Sequence, residues 1–166
     1  MPISIYSASV PTFTRLLTNL LAIMNKAEAY AAERKIDLNY LVNDRLAADM
    51  NPFKFQIQSA TDNAKFAVSR LTATAAPSWP DTESTFEELK ARVQKALDYL
   101  GTFTETSLAG GDDREVTVRI RGEERKLTGE AYFLTRALPN FYFHVTTAYA
   151  ILRKNGVPIG KNDFLG

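Results

Sequence analysis

The chain carries one histidine, His144, and no cysteine. An imidazole can act as a general base, bind a metal or hydrogen-bond a ligand, so any acid–base chemistry at neutral pH centres on this residue. At about 100° per helical residue, His144 falls on the flank of an apolar stripe, between Ala137, Phe141, Ala148 and Ile151. Such surroundings disfavour the charged ring. The expectation is a neutral histidine serving a local pocket or a packing contact rather than a catalytic cycle. The polar residues proposed to accompany it as a ligand-binding set are Gln56, Gln58, Asn140 and Tyr149. The residues assign no reaction.

Other chemistries find less support. Without cysteine there is no disulfide, thiolate nucleophile or zinc–cysteine site. Bundle metal sites use Glu-x-x-His spacing, but three residues before His144 stands Phe141. There is no His-x-x-x-His pair, no phosphate-cradling glycine loop and no nucleophile elbow. No metal and no cofactor are therefore expected. Asp62 and Gln58 share a helical face and read as solvated or hairpin-covered. Tyr142 and Tyr149 read as core residues with hydrogen-bonded tips, and Trp79 as a loop anchor. The acidic residues from Asp81 to Glu88 suit a helix start, and Arg119, Arg121, Arg125 and Lys126 suit solvated strand faces.

Four long helices must position these groups. The first shows apolar residues at Tyr6, Val10, Phe13, Leu17, Leu20, Met24, Ala27 and Ala31, starting near Ser9 or kinked at Pro11 if it starts earlier. A short helix over 38–46 leads to the second, whose stripe is Phe53, Ile57, Ala60, Ala64, Val68 and Leu71. Ser84 and Glu87 read as the capping box of the third, with Phe86, Leu89, Val93, Ala96, Leu97 and Leu100 inward. Alternation at Val116, Val118 and Ile120 predicts a hairpin over 115–127, which must lean on the helices. The fourth helix is expected to start at Thr128 and end before Gly156, split or kinked at Pro139, with Leu134, Leu138, Phe141, Val145, Ala148 and Leu152 inward. Phe143, Thr147 and Ala150 form its apolar back face. The fold class is thus all-α: one domain over 1–166, a four-helix bundle with a small β-hairpin between helices three and four.

Lys plus Arg is 20 against 19 Asp plus Glu, so no basic excess points to nucleic acid. No apolar run approaches the ~20 residues that cross a bilayer, and the N-terminus lacks a signal-peptide pattern. A soluble cytoplasmic protein is expected, with neither nucleic acid nor membrane as partner.

Several phrases carry a resemblance. Ser7-Ala8-Ser9-Val10-Pro11, Arg45-Leu46-Ala47, Gln56-Ile57-Gln58 and Asp81-Thr82-Glu83 precede the long run from Ala137 to Arg153, which is followed by Asn155-Gly156-Val157. With these the chain resembles a bacterial family of unknown function in the DinB/YfiT-like metalloenzyme superfamily. The resemblance implies a DinB-like four-helix bundle, commonly a homodimer. In metal-binding relatives, a histidine on helix two and a His-x-x-x-His pair on helix four hold a divalent metal, which some use in thiol-dependent transferase chemistry. His144 matches the first of that pair, the second position is Ala148, and helix two offers Gln56 or Gln58. Two of three ligands are missing, so that activity is not carried over. Two functions follow as expectations: a metal-free small-molecule site around His144, or a non-catalytic dimeric scaffold with the fourth helix at its interface.

Overall fold

The computed structural model describes residues 3–166. Helix α1 (Ile5–Arg34) starts four residues ahead of Ser9 because the Ser4 hydroxyl caps it, accepting from the Ser7 N–H. Pro11 lies inside α1 on its exposed side, where the missing N–H is least costly. Helix α2 (Leu38–Asn43) is capped by Asp37, and α3 (Phe53–Thr72) follows. The small residues Ala60, Ala64 and Ala67, all fully buried, let α3 pack closely on its neighbours.

Helix α4 (Phe86–Leu100) uses a capping box one residue later than Ser84 and Glu87 suggest. Thr85 is the cap, and Glu88 reaches back to it. In this register the Glu88 carboxylate accepts from the N–H groups of both Ser84 and Thr85 and from the Ser84 hydroxyl. Three donors on one carboxylate decide the register.

Strands β1 (Glu115–Ile120) and β2 (Glu123–Thr128) pair antiparallel around Arg121-Gly122. Both turn residues have positive φ, 50° and 87°, as a tight two-residue hairpin requires. Val116 and Val118 face inward, whereas β2 is almost wholly exposed. The base of the hairpin is fixed by a glycine pair, since a Cβ on Gly129 would lie 1.7 Å from the Gly111 carbonyl oxygen.

The last long helix is one run in three parts: α5 (Gly129–Tyr132), a π-helical turn at Phe133–Ala137, and α6 (Leu138–Lys154). Thr128, the expected first residue, is its cap, and the helix begins one residue later. Pro139 divides the run through a π-helical turn rather than through a break in the chain's helical course. The preceding turn widens, the Leu138 N–H bonds the Phe133 carbonyl, and Pro139 falls in the first turn of α6. The wider turn also moves the apolar stripe by one residue: Phe133 is fully buried, whereas Leu134 is 52% exposed. From Phe141 onward the expected inward set, Phe141, Val145, Ala148 and Leu152, is buried.

A short α7 (Lys161–Leu165) lies along α1, where Asn19 and Arg15 donate to the Phe164 and Leu165 carbonyls. One continuous apolar core joins α1, α3, α4 and α6, with the Phe13 ring edge-on to Phe133 and Phe141 at its centre. The architecture is a helical bundle with a small hairpin inserted before its last long helix. No helix among the described residues is long and apolar enough to cross a membrane.

Candidate functional site

Helices α3 and α6 run antiparallel and are joined by two polar rungs. In the first, Gln56 Nε2 donates to the Asn51 carbonyl at 2.9 Å, which turns its Oε1 toward His144 Nδ1 at 2.8 Å. An amide oxygen can only accept, so His144 carries its proton on Nδ1. Its Nε2 keeps a free lone pair at the half-exposed edge of the ring. Phe55 and Phe143 flank the imidazole edge-on at centroid distances of 6.0 and 5.3 Å. In the second rung, Asn140 donates to Asn63 Oδ1 at 2.7 Å.

Beside these rungs a cleft of about 540 Å3 opens between the C-terminal half of α3, β1 and the π-helical turn. Asn140 and Phe143 line it from α6, Arg70 from α3, Arg119 from β1, and Tyr132 and Arg136 from the segment around the turn.

On its opposite side α3 faces α4 through a buried charge network. The Arg92 guanidinium, on a residue only 3% exposed, donates to Thr61 Oγ1, Glu83, Asp62 and the Pro80 carbonyl, and pairs with Asp81 at 2.9 Å. Lys65 is also buried and pairs with Asp62 at 2.7 Å. Its ammonium lies 4.5 Å from the centroid of the Trp79 ring. Burial opposes the charge on Glu83, but hydrogen bonds from Gln58 and Arg92 outweigh it and hold the carboxyl below its ordinary value.

A family model described as "Domain of unknown function (DUF1993)" matches residues 5–165. The chain belongs to this family. A crystal structure described as a DinB family member protein from Shewanella denitrificans is 44% identical, with a TM-score of 0.91, over 97% of this chain and 91% of that one. A search of the curated proteins returned no match.

The residues of this DUF1993 chain do not fit the superfamily's metal. His144 Nδ1 is committed to Gln56, Ala148 is a fully buried methyl, and Gln56 supplies an amide oxygen already engaged by the imidazole. Among the described residues, no three His, Cys, Asp or Glu side chains converge as ligands.

The five residues proposed as a ligand set lie in three places. His144, Gln56 and Asn140 share the α3–α6 rungs. Gln58 points the other way and donates to Glu83, because two residues along a helix turn a side chain by about 200°. Tyr149 packs edge-on against Phe164 of α7, 6.0 Å between centroids. Asp62 is not on a solvated or hairpin-covered face, and Asp81 and Glu83 serve Arg92 rather than the start of α4. The one available signal for that network was Arg92 itself, a charge between the inward residues Leu89 and Val93. Arg70 and Arg136 left no signal, since only the fold brings them together.

Burial alone lowers the pKa of His144 below its ordinary 6.5. The unfolded chain therefore takes up this proton first. His144 costs no stability above pH 6.5 and destabilises progressively as pH falls from there through its folded value. Urea melts across that window should show a slope that His144→Gln removes. A slope unchanged in the variant would place the titration elsewhere.

Proposed function

We propose that this DUF1993 protein binds a small organic molecule on its α3–α6 face without a metal, and that His144 contributes a neutral imidazole contact. The supporting observation is the Gln56 amide, anchored on the Asn51 carbonyl, which fixes the His144 tautomer and leaves Nε2 as an acceptor. A histidine needed only for packing gains little from a fixed tautomer. A ligand hydroxyl or N–H that meets Nε2 gains a pre-oriented partner, with the cleft one helical turn away at Asn140.

Native mass spectrometry of untagged protein, followed by a thermal-shift screen of metabolites, tests this reading. A hit should move the side-chain nitrogen resonances of His144. His144→Gln should weaken the hit about tenfold and cost about 1–2 kcal/mol of stability. A hit that binds the variant with full affinity would remove His144 from the site.

A second reading, a non-catalytic homodimeric scaffold, is favoured by two aromatic residues. Phe143 is 54% exposed and Phe55 38%, one on each side of His144, and the hairpin does not cover them. On this reading light scattering returns a dimer mass that Phe143→Lys converts to a monomer. A monomer mass for the parent chain at micromolar concentrations excludes it.

A further inference from the structure

Elsewhere in the fold Lys26, Lys65, Lys90, Arg92, Arg125, Lys126 and Lys154 each meet a carboxylate, and ten other basic residues do not among the described residues. The cleft beside the α3–α6 rungs gathers three of the unpaired kind in one place. Three of its lining residues are arginines, none is Asp or Glu, and Arg70, Arg119 and Arg136 form no ion pair with any described carboxylate. They come from three separate elements, so no single helix or strand explains their meeting.

Two of the guanidinium groups are also held in place. Arg70 donates to the Tyr132 hydroxyl at 2.9 Å, and its guanidinium carbon lies 5.4 Å from the Tyr132 ring centroid and 5.3 Å from that of Phe66. Arg119 Nε donates to the Gly122 carbonyl at 3.1 Å. Each bond uses one of five N–H donors, which leaves most of both forks unspent. Fixing a fork before a ligand arrives removes part of the entropy that binding would otherwise cost. Tyr132 and Arg136 are in turn positioned by the π-helical turn, a feature often found at functional sites.

We propose that this cleft binds a small organic molecule through an oxyanion, a carboxylate or phosphate, held by Arg70, Arg119 and Arg136. Val118 and the exposed Phe143 receive its apolar body. A volume of about 540 Å3 suits a small molecule, and the formal net charge of +1 gives no broad field for a polyanion. The inference deepens the reading above and rests on it only for the ligand being a small molecule.

The test is a titration of the full chain with phenyl phosphate, phenylacetate, inorganic phosphate and benzyl alcohol, followed by 15N–1H correlation spectra at low salt. Phenyl phosphate or phenylacetate should shift the amides of Arg70, Arg119, Arg136 and Asn140 saturably, at least about tenfold more tightly than benzyl alcohol. Arg70→Gln and Arg136→Gln should each weaken binding about tenfold, with spectra confirming the fold. Arg125→Gln removes the same charge from outside the cleft and should leave binding unchanged. Equal affinity for benzyl alcohol would overturn the oxyanion, equal affinity for inorganic phosphate would overturn the organic body, and an equal loss in Arg125→Gln would reduce the effect to net charge. Tighter binding of a duplex oligonucleotide would overturn the small molecule. Binding in the cleft with the His144 resonances unmoved would sustain this inference and remove His144 from the function, so the two readings fail separately.

Discussion

Arg92→Ala should lower the unfolding free energy by about 3–5 kcal/mol, the range for breaking a buried ion pair by deleting one partner. The loss comes from what the guanidinium leaves behind. Glu83 stays in a partly enclosed site without its cation, Asp62 keeps only Lys65, Thr61 loses a donor, and the Pro80 carbonyl loses its bond. Arg92→Lys should recover little, because a single ammonium cannot reach Thr61, Asp62 and Glu83 at once. Arg92→Met combined with Glu83→Gln should recover more, since Glu83 is then not left charged without its cation and Asp62 keeps its pair with Lys65. The network also sets an acid limit. Glu83 is held below its ordinary 4.5, so its stabilisation is complete above that value and is lost as pH falls through the folded value. Urea unfolding with an unchanged m-value measures all of this. A loss under about 1 kcal/mol in Arg92→Ala would class the network with ordinary surface pairs.

Gly129→Ala should cost about 3 kcal/mol, the upper end of the overpacking range. The added methyl would meet the Gly111 carbonyl oxygen at 1.7 Å and Leu71 Cδ2 at 3.0 Å. Neither the backbone of 111 nor the core side chain of Leu71 can step aside easily. Gly111 is itself confined, with the Leu71 and Leu108 carbonyls 2.8 and 2.9 Å from where its own Cβ would stand. Alanine's better helix propensity, worth about 1 kcal/mol within a helix, is too small to offset such an overlap. The hairpin should suffer most, because Gly129 follows β2 directly and the Glu130 N–H bonds the Asp112 carbonyl. Chemical denaturation with the β1 and β2 amide resonances as local probes checks this. A loss under about 1 kcal/mol would show that the loop before β1 yields without strain.

The bundle was legible in the sequence because its four stripes are strictly periodic, and a helix with a continuous apolar face has few ways to bury it. The hairpin was legible from the alternation at Val116, Val118 and Ile120. Features that depend on contacts between distant segments were not. Pro139 was expected to disturb its own helix. Its effect appears instead upstream, as the π-helical turn that exchanges Leu134 for Phe133 in the core. Ser84 and Glu87 satisfy the capping pattern as well as Thr85 and Glu88 do, and only the extra Ser84 donors separate them. In the candidate site, His144 was visible as the one imidazole, but its partner could be either of two glutamines. Helical phase sends Gln56 to α6 and Gln58 to Glu83 in the connection before α4. Arg92 was missed because charged helical residues are usually solvated, and it is buried only once residues 73–85 fold over it.

Those residues form a connection without helix or strand, held by Arg92 through Pro80, Asp81 and Glu83 and by the Trp79 ring beside Lys65. Gln58 also donates to Glu83, and Tyr99 and Lys95 meet the Trp79 ring. The connection is nonetheless attached through side chains, with no backbone ladder to another element among the described residues, so it can release while the helices beneath it stay folded. Amides along this connection should therefore exchange with deuterium through a local opening of low free energy, far faster than those in the middle of α3. The opening would transiently admit water to Lys65 and Asp62, so the rate at which this strap lifts sets how often the interior charges of the bundle meet solvent.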